Sequence, residues 1–342
     1  MNENARSRRD RHQYGPVRSA LEHAGFLAIV APLGWMPLWL NSAIGAAIGA
    51  LFGATQRWLG TKYHRSAQRN LEIAFPEKPP AERDAILRAM WRNWGRMITE
   101  VAKLPRLSQQ RVLSIVRMDP ESRYREIAER AKEHGALILT AHFGTFELLL
   151  NAVGAAGTPV SIIHRTLHNP HVDAWLSRVR ERFGSRQLRR GDAAREVLRE
   201  LHAGRIVAIP FDQTAPRASR VFTPFFGVHA ATNTGLARLA LASRAPVYPV
   251  VLVREGTSSR HRAVYGPEIP LVRSDDRERD VAENTRRFNE VLEAIIRDRP
   301  DHWIWMYRRW KAQPDGSISP YLDESPPLET YRAAARAVAV RT

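Results

Sequence analysis

Residues 136–154 read ALILTAHFGTFELLLNAVG, and their pattern indicates the fold class. A short apolar run comes first, and an apolar segment with helical spacing follows it after a turn that contains Gly144. A strand followed by a helix is the building unit of an α/β protein, so the next question is whether the pattern repeats.

The same alternation continues toward the C-terminus. Apolar runs and helical stretches follow one another as PVSIIHR (159–165), HVDAWLSRVRERFG (171–184), AAREVLRELHAG (193–204), RIVAIPFDQ (205–213), TGLARLALASR (234–244) and PVYPVVLVRE (246–255). Strands that alternate with helices indicate βαβ units. We therefore predict an α/β fold with a mostly parallel sheet covered by helices on both faces. This core is expected over residues 131–313, with a helical cap over 57–130 and a peripheral tail over 314–342.

An apolar segment precedes this core, because residues 24–56 contain no Asp, Glu, Lys or Arg. A helix of about 20 apolar residues is long enough to cross a bilayer. Pro32 and Pro37 could kink one long helix, or divide the segment into a hairpin that enters one leaflet and returns. The basic leader over residues 1–23 is too long for a cleaved signal peptide, so we expect a retained membrane segment. A buried helical hairpin is the alternative.

Composition narrows the function further. The chain has 342 residues, a formal net charge of +17 and no cysteine. The missing thiols exclude disulfides, thiolate metal sites and a cysteine nucleophile. The positive charge predicts attraction to polyanions, either the phosphates of a membrane surface or nucleic acid. Since a nucleic-acid-binding protein would leave the apolar segment unexplained, we expect a membrane partner and no nucleic acid.

One histidine and one carboxylate carry the chemistry that we predict. His142 closes the first apolar run, and Glu147 follows in the first turn of the next helix. On a continuous helix these two residues would lie about 140° apart, so a pairing needs the turn between them. A carboxylate on one ring nitrogen makes the other more basic, and that nitrogen could take a proton from an alcohol attacking a thioester. A glutamate that only caps the helix is the alternative.

Five ordered blocks give these two residues a context: HFGTFE (142–147), HRTLHNP (164–170), PFDQ (210–213), FTPFFG (222–227) and HWIWMYRRWK (302–311). Together they resemble the bacterial lipid A late acyltransferase family, within the wider His-x-x-x-x-Asp/Glu lysophospholipid acyltransferase superfamily. The resemblance implies a glycerolipid-acyltransferase-like fold on the cytoplasmic face of a bacterial inner membrane. The donor would be a thioester of acyl-carrier protein or coenzyme A, with no further cofactor. The acceptor would be a hydroxyl of a phosphorylated glucosamine lipid, and another glycolipid or a lysophospholipid is the alternative.

The resemblance also implies roles for single residues. His142 would be the general base and Glu147 its orienting partner. Arg165 and Asp212 fall where the family keeps charged active-site residues. Arg165 would steady the oxyanion or hold a phosphate, while Asp212 would orient Arg165 or cap a turn. Gln213, beside Asp212, is a further candidate for substrate binding.

Two aromatic blocks are expected to meet lipid. Phe225 and Phe226 would form an apolar wall for the acyl chain, and plain core packing is the alternative. The aromatic residues of 302–311 would lie at headgroup depth, where Arg308, Arg309 and Lys311 would meet phosphates. A buried strand with a solvated basic end is the alternative.

Two other classes of site are disfavoured by the sequence. His164 and His168 are spaced like metal ligands on a helix, but the Asn169-Pro170 that follows favours a loop, and no H-E-x-x-H motif is present. We therefore expect no metal. A serine esterase would need a G-x-S-x-G nucleophile elbow, and the sequence has none.

Overall fold

A seven-stranded β-sheet forms the centre of the structure, a computed structural model that describes residues 15–164, 166–189, 193–314 and 317–339. Its strands are β1 (Val116–Asp119), β2 (Ala136–Thr140), β3 (Val160–His164), β4 (Arg186–Arg189), β5 (Ile206–Pro210), β8 (Val247–Arg254) and β9 (His261–Tyr265). A separate antiparallel hairpin consists of β6 (Arg220–Phe225) and β7 (Val228–Asn233).

Twelve α-helices surround these strands in the described part of the chain. They are α1 (Pro16–Trp35), α2 (Leu38–Trp58), α3 (Lys62–Ala74), α4 (Pro80–Lys103), α5 (Gln109–Ile115), α6 (Glu121–His134), α7 (Phe146–Ala155), α8 (Pro170–Glu181), α9 (Ala193–His202), α10 (Gly235–Ser243), α11 (Arg277–Asp298) and α12 (Leu328–Ala339).

The strand order of the sheet is β1-β9-β8-β2-β5-β3-β4. Its neighbouring strands run parallel except β8 and β9, which are antiparallel. All five residues of the central strand β2 are buried. Leu137 and Leu139 belong to one hydrophobic cluster, and Ala136 and Ile138 belong to another. Because alternate side chains point to opposite faces of a strand, both faces of the sheet are covered, which confirms the predicted α/β class.

The sheet extends beyond the range predicted for the core. Strand β1 lies within residues 57–130, which sequence analysis assigned to the helical cap, and it pairs with β9. The sheet therefore begins before residue 131. The C-terminal tail is also packed more closely than expected, since Tyr331 and Ala335 of α12 are buried. Arg332 on the same helix donates a hydrogen bond to the carbonyl of Ile73 at 2.6 Å.

The apolar N-terminal segment forms two helices that are separated at Pro37. Pro32 lies inside α1, which continues to Trp35, and α2 begins at Leu38. Among the described helices, α2 alone is long and apolar enough to cross a membrane. The break at Pro37 thus gives two separate helices rather than one kinked helix.

Helix α2 packs against α4 through glycines. A methyl group added to Gly95 of α4 would lie 2.8 Å from the Cα of Gly49, and one added to Gly45 would lie 2.7 Å from the carbonyl of Gly95. Small residues allow two helix backbones to approach this closely. The opposite faces of α1 and α2 are apolar and open, with exposed side chains at Val17, Leu21, Ile29, Trp35, Trp39, Leu51 and Trp58.

The aromatic segment near the C-terminus belongs to the core. Trp303, Trp305 and Trp310 are at most 1% exposed, and Arg309 is fully buried. The guanidinium of Arg309 donates to the carbonyl of Ala231 at 2.9 Å. The predicted position at headgroup depth is therefore wrong. A buried segment was the alternative, and its backbone is irregular rather than a strand.

Candidate active site

Two neighbouring parallel strands place His142 beside Asp212. In the register of β2 and β5, Thr140 lies opposite Pro210. His142 comes two residues after the end of β2, and Asp212 comes two residues after the end of β5. Since the carboxyl ends of parallel strands meet at one edge of the sheet, equal offsets bring these two side chains together.

Asp212 accepts three hydrogen bonds, and two of them come from His142. Its Oδ1 lies 2.9 Å from Nδ1 of the imidazole, and its Oδ2 accepts from the backbone N–H of His142 at 3.1 Å. The indole N–H of Trp303 donates to the same Oδ2 at 3.0 Å. An ionised carboxylate can only accept, so Nδ1 carries a proton, and in the neutral ring Nε2 keeps its lone pair. The ring is thus fixed in the tautomer that a general base needs.

Electrostatics support this assignment. Burial by itself would lower the pKa of His142, but the charge of Asp212 and the hydrogen bond to it outweigh burial, so the pKa is raised above its ordinary value. Burial would raise the pKa of Asp212, but the charge of His142 and the hydrogen bonds from His142 and Trp303 hold that pKa below its ordinary value. The imidazole is 29% exposed, whereas the carboxylate is 5% exposed. The charged carboxylate of Asp212 is therefore buried, while the imidazole of His142, which supplies the basic nitrogen, stays accessible.

Glu147 has a different partner from the one that the sequence predicted. It lies in the first turn of α7, as expected, but its carboxylate binds the guanidinium of Arg180 on α8. Nε of Arg180 donates to Oε2 at 2.9 Å, and Nη2 donates to Oε1. The predicted pairing of Glu147 with His142 is therefore corrected. The carboxylate that binds Nδ1 of His142 is that of Asp212. The turn after His142 directs Glu147 toward α8 instead.

The turn between His142 and α7 is stabilised by close backbone packing at Gly144 and by hydrogen bonds at Thr145. Gly144 adopts a left-handed conformation with φ of 56°, and a methyl group there would overlap the carbonyl of Leu252. The hydroxyl of Thr145 donates to Glu100 at 2.9 Å and accepts from Arg254 at 3.1 Å. Glu100 and Arg254 form a buried ion pair with an N···O distance of 2.6 Å. Sequence analysis identified the turn but not this pair.

A cavity of about 910 Å³ opens beside His142. Helix α7 and the strands β2, β3 and β5 supply apolar walls, which include Ile138, Leu149, Val153, Ile162, Ile206 and Ala208. Polar groups lie at its mouth, and Nε2 of Gln213 is 3.5 Å from Nε2 of His142. Arg180, Arg238 and Arg277 also line the cavity. An apolar cavity with a few polar groups at one end is typical of a site for a lipid chain.

Four other predicted substrate-binding residues have different outcomes. Phe225 and Phe226 are described residues, and neither lines this cavity; both are buried in the aromatic core, where Phe225 stacks on Trp310 at 5.6 Å. Arg308 is exposed, and its Nε donates to the hydroxyl of Ser66 at 2.9 Å. Arg165 lies outside the described residues. The prediction that FTPFFG forms an apolar wall for the acyl chain is therefore wrong. The apolar walls of this cavity come from α7 and the sheet.

Arg180 is a cavity residue that sequence reasoning also missed. It lies on α8 between Arg178, on the same helix, and Arg182, just after its end, so nothing in the local sequence distinguishes it. Only the fold, which brings α8 against the first turn of α7, shows that this arginine faces Glu147 and the cavity.

The fold and the site define an α/β enzyme with a histidine–carboxylate pair at the mouth of an apolar cavity. Residues 17–312 match the family model of the bacterial lipid A biosynthesis acyltransferases. The chain belongs to this family, which confirms the identification made from the sequence motifs.

Curated relatives match over most of the chain. It is 26% identical to the lipid A biosynthesis myristoyltransferase of Escherichia coli (strain K12) over 298 residues, which is 86% of this chain and 88% of the relative. It is 26% identical to the lauroyltransferase of the same strain over 288 residues, which is 84% of this chain and 92% of the relative. A lipid A biosynthesis acyltransferase of Haemophilus influenzae is 27% identical over 301 residues, 84% of this chain and 93% of the relative.

Proposed function

We propose that this enzyme transfers a fatty acyl group from a thioester to a hydroxyl of a lipid A precursor, with His142 as the general base. The observation that carries the proposal is the imidazole of His142, whose Nδ1 is bound to Asp212 and whose Nε2 lies at the cavity mouth. Nε2 takes the proton of the acceptor hydroxyl as its oxygen attacks the thioester carbon. The proton then passes to the leaving thiolate, and no covalent enzyme intermediate is required.

Asp212 assists the base in this mechanism. Its buried carboxylate keeps the ring in one orientation and stabilises the imidazolium that forms during proton transfer. Glu147, which sequence analysis assigned to this role, instead holds Arg180 at the cavity wall.

Arg180 supplies positive charge near the reacting groups. Its charge acts to lower the pKa of His142, so the two lie within electrostatic range of each other. A fixed guanidinium at this place stabilises the oxyanion of the tetrahedral intermediate or binds a phosphate of the substrate. The bidentate bond to Glu147 keeps the guanidinium oriented before substrate arrives.

The membrane side of the enzyme is the apolar face of α1 and α2. Helix α1 packs on α8, where Phe26 and Trp175 are in edge contact at 5.1 Å and Asn169 donates to the carbonyl of Ser19 at 3.0 Å. The loop that leads into α8 contributes Leu167 to the cavity lining. The cavity mouth therefore lies close to the apolar face, which suits an acceptor lipid held in the cytoplasmic leaflet of the inner membrane.

The donor is a thioester of acyl-carrier protein or coenzyme A. Arg238 and Arg277 are exposed where they line the cavity, and the whole chain has a net charge of +17. Both donors are anionic, so this charge favours the approach of either.

A transfer assay tests the proposal and its parts. The purified enzyme in detergent receives radiolabelled acyl-carrier-protein thioester or acyl-coenzyme A, with a tetra-acylated lipid A precursor or a lysophospholipid as acceptor. We expect transfer to the lipid A precursor, and a loss of about 10²-fold or more in the His142→Ala variant. Transfer to the lysophospholipid alone would overturn the acceptor, and full activity of His142→Ala would overturn the mechanism.

A further inference from the structure

The apolar cavity ends at a hydrogen-bonded pair of side chains. The hydroxyl of Tyr124 on α6 lies 2.8 Å from the hydroxyl of Thr158, and it donates to the carbonyl of Ala156 at 3.1 Å. Both Tyr124 and Thr158 line the cavity, at the end of the strands opposite to His142. The ring of Tyr265 lies 5.6 Å from that of Tyr124 and is buried beside it.

A second cavity of about 840 Å³ begins on the other side of this pair. Four residues line both cavities: Tyr124, Thr158, Val160 and Ile206. The remaining walls of the second cavity carry surface cations, which include Arg125, Lys132, Arg186 and Arg205. The shared residues are thus a thin partition between an apolar cavity and a more polar one.

The strands give a minimum for the distance from the catalytic end to this partition. Residues of β5 line the cavity from Pro210, level with the start of the catalytic loop, down to Ile206. At about 3.3 Å per residue, these four steps span roughly 13 Å. A fully extended chain advances about 1.2 Å per bond, since the three backbone bonds of a residue span about 3.3–3.6 Å. The length walled by β5 alone therefore holds about eleven carbon–carbon bonds. His142 lies two residues beyond Thr140, which is opposite Pro210, and Thr158 lies two residues before Val160, which is opposite Ile206, so the cavity takes an acyl chain of at least about twelve carbons.

We infer, on the basis of the proposed function, that Tyr124 and Thr158 form the ruler that sets the length of the transferred acyl chain. A longer chain would have to separate the two hydroxyl groups, and its end would enter a polar cavity. The transferred acyl chain, rather than a chain of the acceptor, occupies this cavity. It is a single chain that leaves its carrier completely, so it can enter an apolar cavity that is closed at its far end. The acceptor carries phosphates and several chains, which stay in the membrane.

A donor series tests the ruler. Transfer to the lipid A precursor is measured with acyl-carrier-protein thioesters of 10, 12, 14, 16 and 18 carbons. For Tyr124→Ala, whose truncated side chain joins the two cavities, we expect the rate with 16 carbons relative to 12 to rise by about tenfold or more. For Ala208→Phe, which fills the cavity halfway along β5, we expect the optimum to move to shorter chains. Tyr63→Ala, at an exposed tyrosine outside the cavity wall, should keep the wild-type profile.

Tyr124→Leu, which removes the hydroxyl and shortens the side chain, is the second variant in case Tyr124→Ala does not fold. A relative rise for long donors in either Tyr124 variant supports the ruler. An unchanged length profile in a folded, active Tyr124 variant overturns it and leaves the proposed function standing. Failure of the wild-type enzyme to transfer any donor in the series would instead overturn the proposed function.

Discussion

Nδ1 of His142 lies 2.9 Å from Oδ1 of Asp212, although 70 positions separate the two residues in the chain. Each follows the end of a strand, and the two strands are parallel neighbours. The indole of Trp303 completes the site by binding the other carboxylate oxygen. The basic nitrogen of the proposed general base thus depends on a buried carboxylate from a distant part of the sequence.

Replacing this carboxylate should change both the rate and its pH dependence. Asp212 raises the pKa of His142, so in Asp212→Asn the pKa of the imidazole falls. The base is active when neutral, and the acid limb of kcat/KM should therefore move to lower pH. The rate on the plateau should fall by about 10²-fold or more, because an amide can also donate and no longer fixes the tautomer. A pH profile of kcat/KM between pH 5 and 9, values chosen to span about the ordinary histidine pKa, measures both effects.

Gln213→Ala is the matched control for that profile. Gln213 is exposed and its amide nitrogen lies 3.5 Å from the other ring nitrogen of His142, so its loss leaves the bond to Asp212 intact. We expect its acid limb to stay near that of the wild-type enzyme. An acid limb that does not move in Asp212→Asn would contradict the assigned role of Asp212.

The sequence predicted His142 and Asp212 as site residues but not as partners. Both could be recognised because each closes an apolar run. Their contact depends on β2 and β5 being neighbours, and strand order arises from packing between segments that are distant in sequence. Local spacing instead suggested Glu147, which is closer to His142 along the chain but turns toward α8.

The aromatic blocks illustrate a second limit. Phe225 and Trp310 have the composition expected of a lipid-binding surface, and both are buried in the core. An aromatic side chain favours either place, because its large apolar area gains from contact with protein or lipid. The strands and helices were predictable because the period of the apolar residues shows which side chains are buried. The same period does not show whether protein or lipid covers those side chains.

A double-mutant cycle tests whether Glu147 acts through Arg180 rather than through His142. If Glu147 acts by holding Arg180, then Glu147→Gln and Arg180→Gln should lower kcat by similar factors, and the double variant should be little worse than either. Steady-state rates of the four proteins measure this coupling. If Glu147→Gln and Arg180→Gln have fully additive effects, the two side chains act independently and the assignment fails.

The glycine contact between α2 and α4 should contribute to the stability of the N-terminal helices. A methyl group at Gly95 would lie 2.7 Å from the backbone nitrogen and 2.8 Å from the Cα of Gly49, and backbone atoms cannot move aside as a flexible side chain can. Gly95→Ala should therefore destabilise the enzyme by about 1–3 kcal/mol. Thermal unfolding in one detergent at fixed protein concentration gives the change in Tm.

Gly25→Ala is the matched control for this contact. Gly25 lies inside helix α1, and nothing is within 4 Å of the position that a methyl group would occupy. Alanine favours a helix over glycine, so the Tm should stay the same or rise slightly. Equal Tm values for Gly25→Ala and Gly95→Ala would show that α2 and α4 do not pack as described.

The buried ion pair beneath the catalytic turn should make stability sensitive to acid. Burial would raise the pKa of Glu100, but hydrogen bonds from His261 and Arg254 outweigh it and lower the pKa to about 2 from an ordinary value of 4.5. A pKa lowered by folding adds stability above the unfolded value and loses it as pH falls toward the folded value. The stability that comes from Glu100 should therefore be complete above pH 4.5 and fall between pH 4.5 and about 2.

Glu100→Gln should remove this acid-dependent part and also weaken the enzyme at neutral pH. The guanidinium of Arg254 is 3% exposed, and without its counter-charge it becomes an unpaired buried cation, which typically costs about 3–5 kcal/mol. Glu283→Gln is the control, because the pKa of Glu283 is also lowered to about 2 but its side chain is 30% exposed between Arg286 and Arg287. That variant should lose about 1 kcal/mol or less. Denaturant midpoints measured from pH 7 down to about 3 distinguish the two, and similar losses in both variants would mean that the Glu100–Arg254 pair does not support the catalytic turn.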